Sequence, residues 1–405
     1  MADFGGAELD AFRTEVREQL AAMYPAELRG PNPKTDPEAI WGGRAFAGSD
    51  DPQITWMKRM AAKGWTTPTW PKAYGGGGLT AEQARVLDRE LAAGKYRAPV
   101  LAFGIWMLGP VLLEYANEEQ KQEHLPRIVN GEIRWCQGYS EPGAGSDLAG
   151  LQTKCEDKGD HWLINGSKVW TSYADKADWC FCLVRTDASK KHEGISFVLI
   201  DMASPGVETR PIQLISGESP FCETFFTDVK IPKGNLVGRV NGGWEIAKRL
   251  LQYERQNISA GFGEGGTAGG ASGDLAVIAK KYAGDEGELS DVDLRARITK
   301  NKIDFQSLRL TIARSAAESR AGNGPSAATS IIKYAAAEFA KERSELMVEA
   351  LGHQGLGWEG DGYETPEIVA VRGWLRTKAN SIEGGTSEVN LNVVAKRVLG
   401  LPDPK

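Results

Sequence analysis

Apolar residues recur at helical spacing toward both ends of the chain and at two-residue spacing through its middle. Between Ala7 and Met23, Leu9, Phe12, Val16 and Leu20 share one side of a helix whose other side is charged, so the spacing predicts an amphipathic opening helix. A surface-rich connection then leads to the stretch Ile54 to Lys63. It runs into Gly64-Trp65 and the aromatic, glycine-rich turn Trp70 to Gly78. Thr80 is placed to cap the next helix, with Glu82 and Gln83 in its first turn, and helical spacing continues over Val111 to His124. From about residue 131 the period shortens, and strands are predicted at His161 to Ile164, Trp179 to Arg185, Gly194 to Ile200, Phe221 to Phe226 and Val229 to Ile231. Beyond Gly242-Gly243 the helical period returns at Trp244 to Ser259, Leu308 to Glu318, Ser330 to Gly352 and Glu388 to Leu399. The pattern predicts an α+β chain in three parts: helical over 1–130, β over 131–240 and helical over 241–405.

Composition narrows the function classes. The chain has 405 residues, 41% of them apolar, enough to fill several cores, and its 48 Lys and Arg face 54 Asp and Glu. No compact basic face is evident, which argues against nucleic acid, although single basic positions can still meet a nucleotide's phosphates. Cys136, Cys155, Cys180, Cys182 and Cys222 lack CxxC spacing, and His124, His161, His192 and His353 are scattered, so no metal is expected. Cys180-Phe181-Cys182 lies in an apolar strand and reads as core packing. The opening MADFGGAELD is acidic with no apolar export segment behind it, and no apolar run approaches about 18 residues, so a cytoplasmic chain without membrane insertion is expected.

The chemistry concentrates in WCQGYSEPGAGSDLAG, from Trp135 to Gly150, and INGSKVWTS, from Ile164 to Ser172. In the first stretch, glycines and Ala144 leave backbone N–H groups uncovered, while Ser140 and Ser146 add short hydrogen-bonding arms. Such a loop can approach a flat ring or a phosphate closely, or it can simply be a tight connection in a β domain. It has neither the GxGxxG order of a dinucleotide fold nor the GxxxxGK[ST] order of a P-loop. Trp170 offers a stacking surface and Ser172 a compact donor or acceptor. Ordinary strand packing is the competing reading for the indole.

These stretches, together with PKGNLVG from Pro232 and GGTSEVNLNVVAKRVLGLP from Gly384, occur in an order that resembles the acyl-CoA dehydrogenase family across essentially the whole chain. The resemblance implies a helical N-terminal domain, a middle β-barrel-like domain and a C-terminal four-helix bundle. It also implies FAD as cofactor and an acyl-CoA substrate that gains a trans-2,3 double bond. By the same resemblance, Gln137, Tyr139 and Ser140 lie along the flavin, Ser146 lies near the dinucleotide or the thioester's pantetheine, and Trp170 and Ser172 address the ring. Thr386 and Glu388 match the segment that approaches the adenosine end, and Glu349 and His353 fall in another cofactor-contacting turn. From residue type alone, Thr386 or Ser387 also reads as a helix cap, and His353 equally as a structural histidine.

The reaction needs a carboxylate against the substrate's α-carbon. Many family members carry it two residues before the threonine of Gly385-Thr386-Ser387; here that position is Gly384, which takes no proton, and Glu383 is one residue out of register. Both positions are implied to border the substrate. A second branch, including forms for branched or bulky acyl groups, places glutamate immediately before an arginine in a helix, which matches Glu254-Arg255. Helix geometry sets Glu254 on the side of Leu250, Leu251 and Ile258, where an apolar setting can desolvate it. Arg255 resembles the arginine that organises this part of the pocket, with a structural ion pair as the alternative.

Two departures concern assembly. The RxxFG segment that helps hold FAD across a subunit boundary is replaced by KKYAGDEGELSDVDLRARI, and His353 stands where glycine is common. The resemblance therefore implies a tetramer, either a homotetramer or a heterotetramer with a homologous chain, and an electron-transfer flavoprotein as acceptor. An acyl-CoA oxidase and a noncatalytic FAD-binding subunit of a heteromeric dehydrogenase are the alternatives.

Overall fold

The computed structural model describes residues 7–30, 43–44, 51–100, 102–261, 274–285, 287–320 and 328–402. The chain divides into two compact units, Met1–Ile212 with Pro220–Tyr253, and Gln213–Ser219 with Glu254–Lys405.

The first unit opens with helices α1 (Ala7–Met23), α2 (Pro52–Ala62), α3 (Ala81–Ala93), α4 (Gly109–Tyr115) and α5 (Glu118–Val129). Val16 and Leu20 of α1 bury against Trp56, Met60 and Leu87, as the heptad-like spacing requires. Thr80 caps α3 in a box with Gln83: each side chain bonds the other's backbone, at 3.2 and 2.9 Å. The helical run expected over Val111 to His124 is broken. Ala116 is extended, and Asn117 starts α5 by accepting from Gln120 N at 2.8 Å while Gln120 Oε1 accepts from Asn117 N. An Asn-x-x-Gln cap thus overrides continuous apolar spacing.

Eight strands follow: β1 (Trp135–Gly138), β2 (Lys154–Asp157), β3 (His161–Ser172), β4 (Trp179–Arg185), β5 (Ile195–Asp201), β6 (Val207–Ile212), β7 (Phe221–Pro232) and β8 (Leu236–Val237). They form one mixed sheet in the order β6-β7-β3-β2-β4-β5-β8, with β1 also paired to β4. The two short strands expected at Phe221 to Phe226 and Val229 to Ile231 are one strand, β7, which continues through a bulge where Thr227 and Asp228 face Asn165. Asp228 takes a left-handed φ of +51° there, and its backbone N–H is received by Asn165 Oδ1 at 2.9 Å. Strand β3 also runs past Ile164, the end the apolar alternation predicted, because Lys168 is inward-facing although charged.

Side-chain alternation along β4 and β5 divides the interior. Phe181, Leu183, Phe197 and Leu199 face a core shared with α4, α5 and the start of α6 (Gly243–Gly261). Cys180, Cys182, Val198 and Ile200 face the other way. All five cysteines lie in that second core as buried free thiols, in agreement with the packing reading of Cys180 and Cys182.

The second unit is a helical bundle of α7 (Leu275–Ala283), α8 (Val292–Arg320), α9 (Ala328–Ala350), α10 (Thr365–Thr377) and α11 (Ser387–Val393), with α9 in contact with each of the others. Its core joins Leu294 and Ile298 of α8 to Leu346 and Met347 of α9, and Phe305 stacks on Phe339 at 4.8 Å. Helix α8 starts well before Leu308, where Asp291 receives Leu294 N at 2.9 Å and caps the helix. Helix α10, absent from the spacing-based reading, is set by a box in which Glu367 accepts from Glu364 N at 2.7 Å. Among the described residues no helix is long and apolar enough to cross a membrane, and no group of three His, Cys, Asp or Glu side chains is placed to hold a metal.

Candidate active site

Strands β1 and β2 both run parallel to β4, at Trp135 to Gly138 against Trp179 to Cys182 and at Lys154 against Arg185. Because β5 covers the other edge of β4 over its whole length, β1 and β2 follow one another along a single edge. The glycine-rich loop between them must therefore leave the sheet and come back to it. Glu141 closes that excursion. Its Oε1 accepts from Thr153 N at 2.9 Å and Thr153 Oγ1 at 2.6 Å, and its Oε2 accepts from Gln152 N at 2.6 Å. Lys168 Nζ, fully buried on β3, completes the set at 2.8 Å and also donates to the Tyr139 carbonyl at 3.2 Å. Burial works against ionisation of Glu141, but the Lys168 ammonium and the hydrogen bonds outweigh it and hold its carboxyl below the usual range. Arg185 fastens the loop's later turn through the carbonyls of Ala149 and Leu151. Gly166 is needed opposite, because a Cβ there would lie 2.7 Å from Thr153 Cα.

The tied-down loop presents Ser140 beside the end of β3, where Val169 N donates to the Ser140 carbonyl at 2.9 Å. Here β3 bulges, with Val169 and Trp170 together facing Glu223 of β7. Trp170 adopts φ +61°, costly for a tryptophan, and leaves its indole 54% exposed, edge-on to Phe221 at 6.0 Å. Packing does not account for a large aromatic group held out of the core on strained backbone. Next to it Thr171 Oγ1 is buried without a partner among the described residues, and Ser172 is half-buried. Tyr139 is buried, Gln137 half-buried and Ser146 exposed on the loop's outer turn. An exposed indole flanked by hydroxyls fits a flat heteroaromatic ring that carries hydrogen-bonding edges.

Glu254 lies on α6, half-buried, one turn beyond the fully buried Leu250 and beside half-buried Leu251. The side chains of Arg255 and Ile258 lie outside the described residues. In the second unit, Glu383 is exposed and engaged by Arg376 at 2.7 Å, and Gly384 and Gly385 have φ +63° and +89°. Thr386 caps α11 by accepting from Val389 N at 3.2 Å, as the sequence suggested. Ser387 Oγ is buried without a partner among the described residues. The carboxyl of Glu388 is held below its usual range by its own backbone N–H and by Thr386. Glu349 is bound by Arg297 at 2.8 Å, and His353 is exposed on the turn Gly352–Leu356.

Profiles of three domains match almost end to end: acyl-CoA dehydrogenase, N-terminal domain over 44–132, middle domain over 136–229 and C-terminal domain over 241–399. The chain belongs to the acyl-CoA dehydrogenase family. It is 34% identical to the acyl-CoA dehydrogenase IpdE1 of Mycolicibacterium smegmatis across 98% of each chain. It is 39% identical to FadE34 of Mycobacterium tuberculosis over 85% of this chain, and it spans about half, 45%, of that protein's length. The ChsE4-ChsE5 complex of Mycobacterium tuberculosis and the Tcur3481-Tcur3483 steroid ACAD are each 28% identical, with a TM-score of 0.76 and 100% of both chains covered. The helical start, mixed sheet and closing bundle are the acyl-CoA dehydrogenase fold, and FAD-linked oxidation of acyl-CoA thioesters is the chemistry of this family.

The sequence reading of this acyl-CoA dehydrogenase missed the residues that hold the site in shape. Glu141 and Lys168 sit inside the quoted motifs, yet only the fold shows that they meet. The available signal was a lysine at an inward position of an alternating strand, which demands a buried anion. Glu114, Arg249 and Tyr253 were also unforeseen. Arg249 donates to both oxygens of Glu114 at 2.6–3.0 Å, and the Tyr253 hydroxyl donates to the same carboxylate.

Proposed function

We propose that this chain is an FAD-dependent acyl-CoA dehydrogenase in which Glu254 removes the α-proton of the bound thioester. The supporting observation is the disposition of the carboxylates. Glu254 is half-buried on α6, whereas Gly384 occupies the alternative family position without a side chain and Glu383 is taken up by Arg376. FAD, when bound, supplies the hydride acceptor for the β-carbon. Within the first unit Trp170, Thr171 and Ser172 would border its ring and Ser140 and the Gln137–Tyr139 stretch would line it; within the second unit Thr386, Glu388, Glu349 and His353 are the proposed cofactor contacts. Ser146 and Arg255 would orient the acyl-CoA. A carboxylate oxygen of Glu254 takes the proton from Cα, and displacement of water by the acyl chain disfavours its charged form and makes it a stronger base. Hydrogen bonds to the thioester oxygen would stabilise the developing enolate.

The relatives named for steroid chemistry and for a two-chain complex support a bulky or branched acyl group and a protein partner, and the proposed assembly is a tetramer, homomeric or with a homologous chain. An electron-transfer flavoprotein is the proposed acceptor. The test is anaerobic flavin bleaching of the purified holoprotein with octanoyl-CoA, isobutyryl-CoA and a steroid side-chain CoA thioester, alongside Glu254→Gln. Bleaching by the bulky thioester that disappears in Glu254→Gln is expected. Undiminished bleaching by Glu254→Gln would overturn the base assignment.

A further inference from the structure

Glu114 stands at the end of α4 and receives, on one carboxylate, two side chains of α6 that are four residues apart, Arg249 and Tyr253. Arg249 also donates to the Tyr253 hydroxyl at 2.8 Å and to Gln252 Oε1 at 3.0 Å, and its guanidinium lies 4.6 Å from the Tyr253 ring centre. Beneath this polar triad, Val111 and Leu112 of α4 share a core with Ile246, Ala247 and Leu250 of α6. The next residue of α6 after Tyr253 is Glu254.

We infer that Glu114, Arg249 and Tyr253 form a clamp that fixes the rotation of α6 about its axis and so positions the carboxylate of Glu254, an inference that rests on the proposed role of that residue. An apolar seam alone resists separation of two helices more than it resists small rotation, because its contacts are non-directional. Two hydrogen-bonded side chains one turn apart, converging on one carboxylate of a second helix, remove that freedom. The lever is short but sufficient. Side-chain tips lie about 5–6 Å from a helix axis, so a rotation of roughly 10° moves a carboxylate by about 1 Å. A displacement of that size can cost on the order of 100-fold in rate. The triad also keeps its protonation pattern over the working range. Arg249 and Tyr253 hold the Glu114 carboxyl below its usual range against the effect of its burial, and burial together with Glu114 pushes the Tyr253 phenol up to about 12.

The experiment compares Glu114→Gln, the milder Tyr253→Phe, and Glu254→Gln as FAD-loaded full chains, using whichever of the three thioesters above bleaches the parent fastest. Two quantities are read: the anaerobic flavin-reduction rate with its α-deuterium isotope effect, and uptake of solvent deuterium at the thioester's α-carbon. The second depends on proton transfer alone. Expected for Glu114→Gln is a 10- to 100-fold slower reduction, a larger isotope effect and slower α-exchange, with thioester affinity within about twofold; Tyr253→Phe follows in the same direction to a smaller extent. A structural role alone would lower stability or flavin content and leave the isotope effect and α-exchange of the loaded protein unchanged. Parental values in Glu114→Gln and Tyr253→Phe beside an inactive Glu254→Gln would overturn the clamp and leave the base assignment standing. An active Glu254→Gln would overturn both.

Discussion

Lys168 Nζ and Glu141 Oε1 meet at 2.8 Å behind the glycine-rich loop between β1 and β2, with the lysine side chain fully buried and the glutamate nearly so. Each charge is tolerable only because of the other, together with Thr153, Gln152 and the Tyr139 carbonyl. Lys168→Met should therefore cost about 3–5 kcal/mol, since it leaves a buried carboxylate unpaired. Adding Glu141→Gln to it should recover part of the loss. Urea unfolding of the single and double variants measures both, and bound FAD per chain should fall with the single variant because the loop's return to the sheet is no longer pinned.

Trp170 makes the opposite prediction about stability and binding. Its backbone sits at φ +61°, a conformation that glycine adopts freely and that costs other residues about 1–3 kcal/mol. Its indole is half exposed, so little packing is lost on removal. Trp170→Gly should unfold at the same or higher urea concentration than the parent while retaining much less FAD. A loss of stability with normal flavin content would return Trp170 to the role of a packing residue.

Much of this was legible in the chain, for reasons specific to each element. Periodicity found α1, with Val16 and Leu20 inward, and Thr80 with Gln83 announced the start of α3 because a capping box is encoded within four residues. The break at Asn117 is equally local, but apolar residues at helical spacing on both sides of it mask the cap. Strands β2 and β6 were invisible because their residues are mostly polar and solvent-facing. The two-into-one merger at β7 needed the partner residue Asn165, which lies far away in sequence. The site divides in the same way. Trp170 and Ser140 belong to short contiguous motifs, whereas the pairs Glu141–Lys168 and Glu114–Arg249 join residues that only the fold brings together.

Glu383 tests the assignment of the base from the other side. Its bond to Arg376 lies at an exposed position, so Glu383→Gln should change stability by roughly 0–1 kcal/mol. Flavin reduction should stay within about twofold of the parent, far from the loss expected of Glu254→Gln. A collapse of reduction in Glu383→Gln with intact FAD binding would move the proton-accepting role to the second unit's C-terminal segment.

His124 gives the first unit a pH-dependent contribution to stability between neutral and mildly acid pH. Its ring is buried between Trp135 and Trp179, at 5.3 and 5.1 Å, and burial, reinforced by the Arg127 cation, lowers its pKa from 6.5 to about 4. The folded chain therefore leaves His124 neutral over a range in which the unfolded chain protonates it. Because the unfolded state binds the extra proton, the contribution is fully present above pH 6.5 and is lost as pH falls from 6.5 toward about 4. The loss totals about 3 kcal/mol at the acid end. The carboxyls of Glu141 and Glu114, held below their ordinary 4.5, withdraw their own contributions only at lower pH, so the two windows separate. His124→Phe keeps an aromatic ring between the two indoles and removes the titration. Unfolding free energies measured from pH 7 to 4.5 should fall more steeply in the parent than in the variant, and equal slopes would show that another group carries the acid sensitivity.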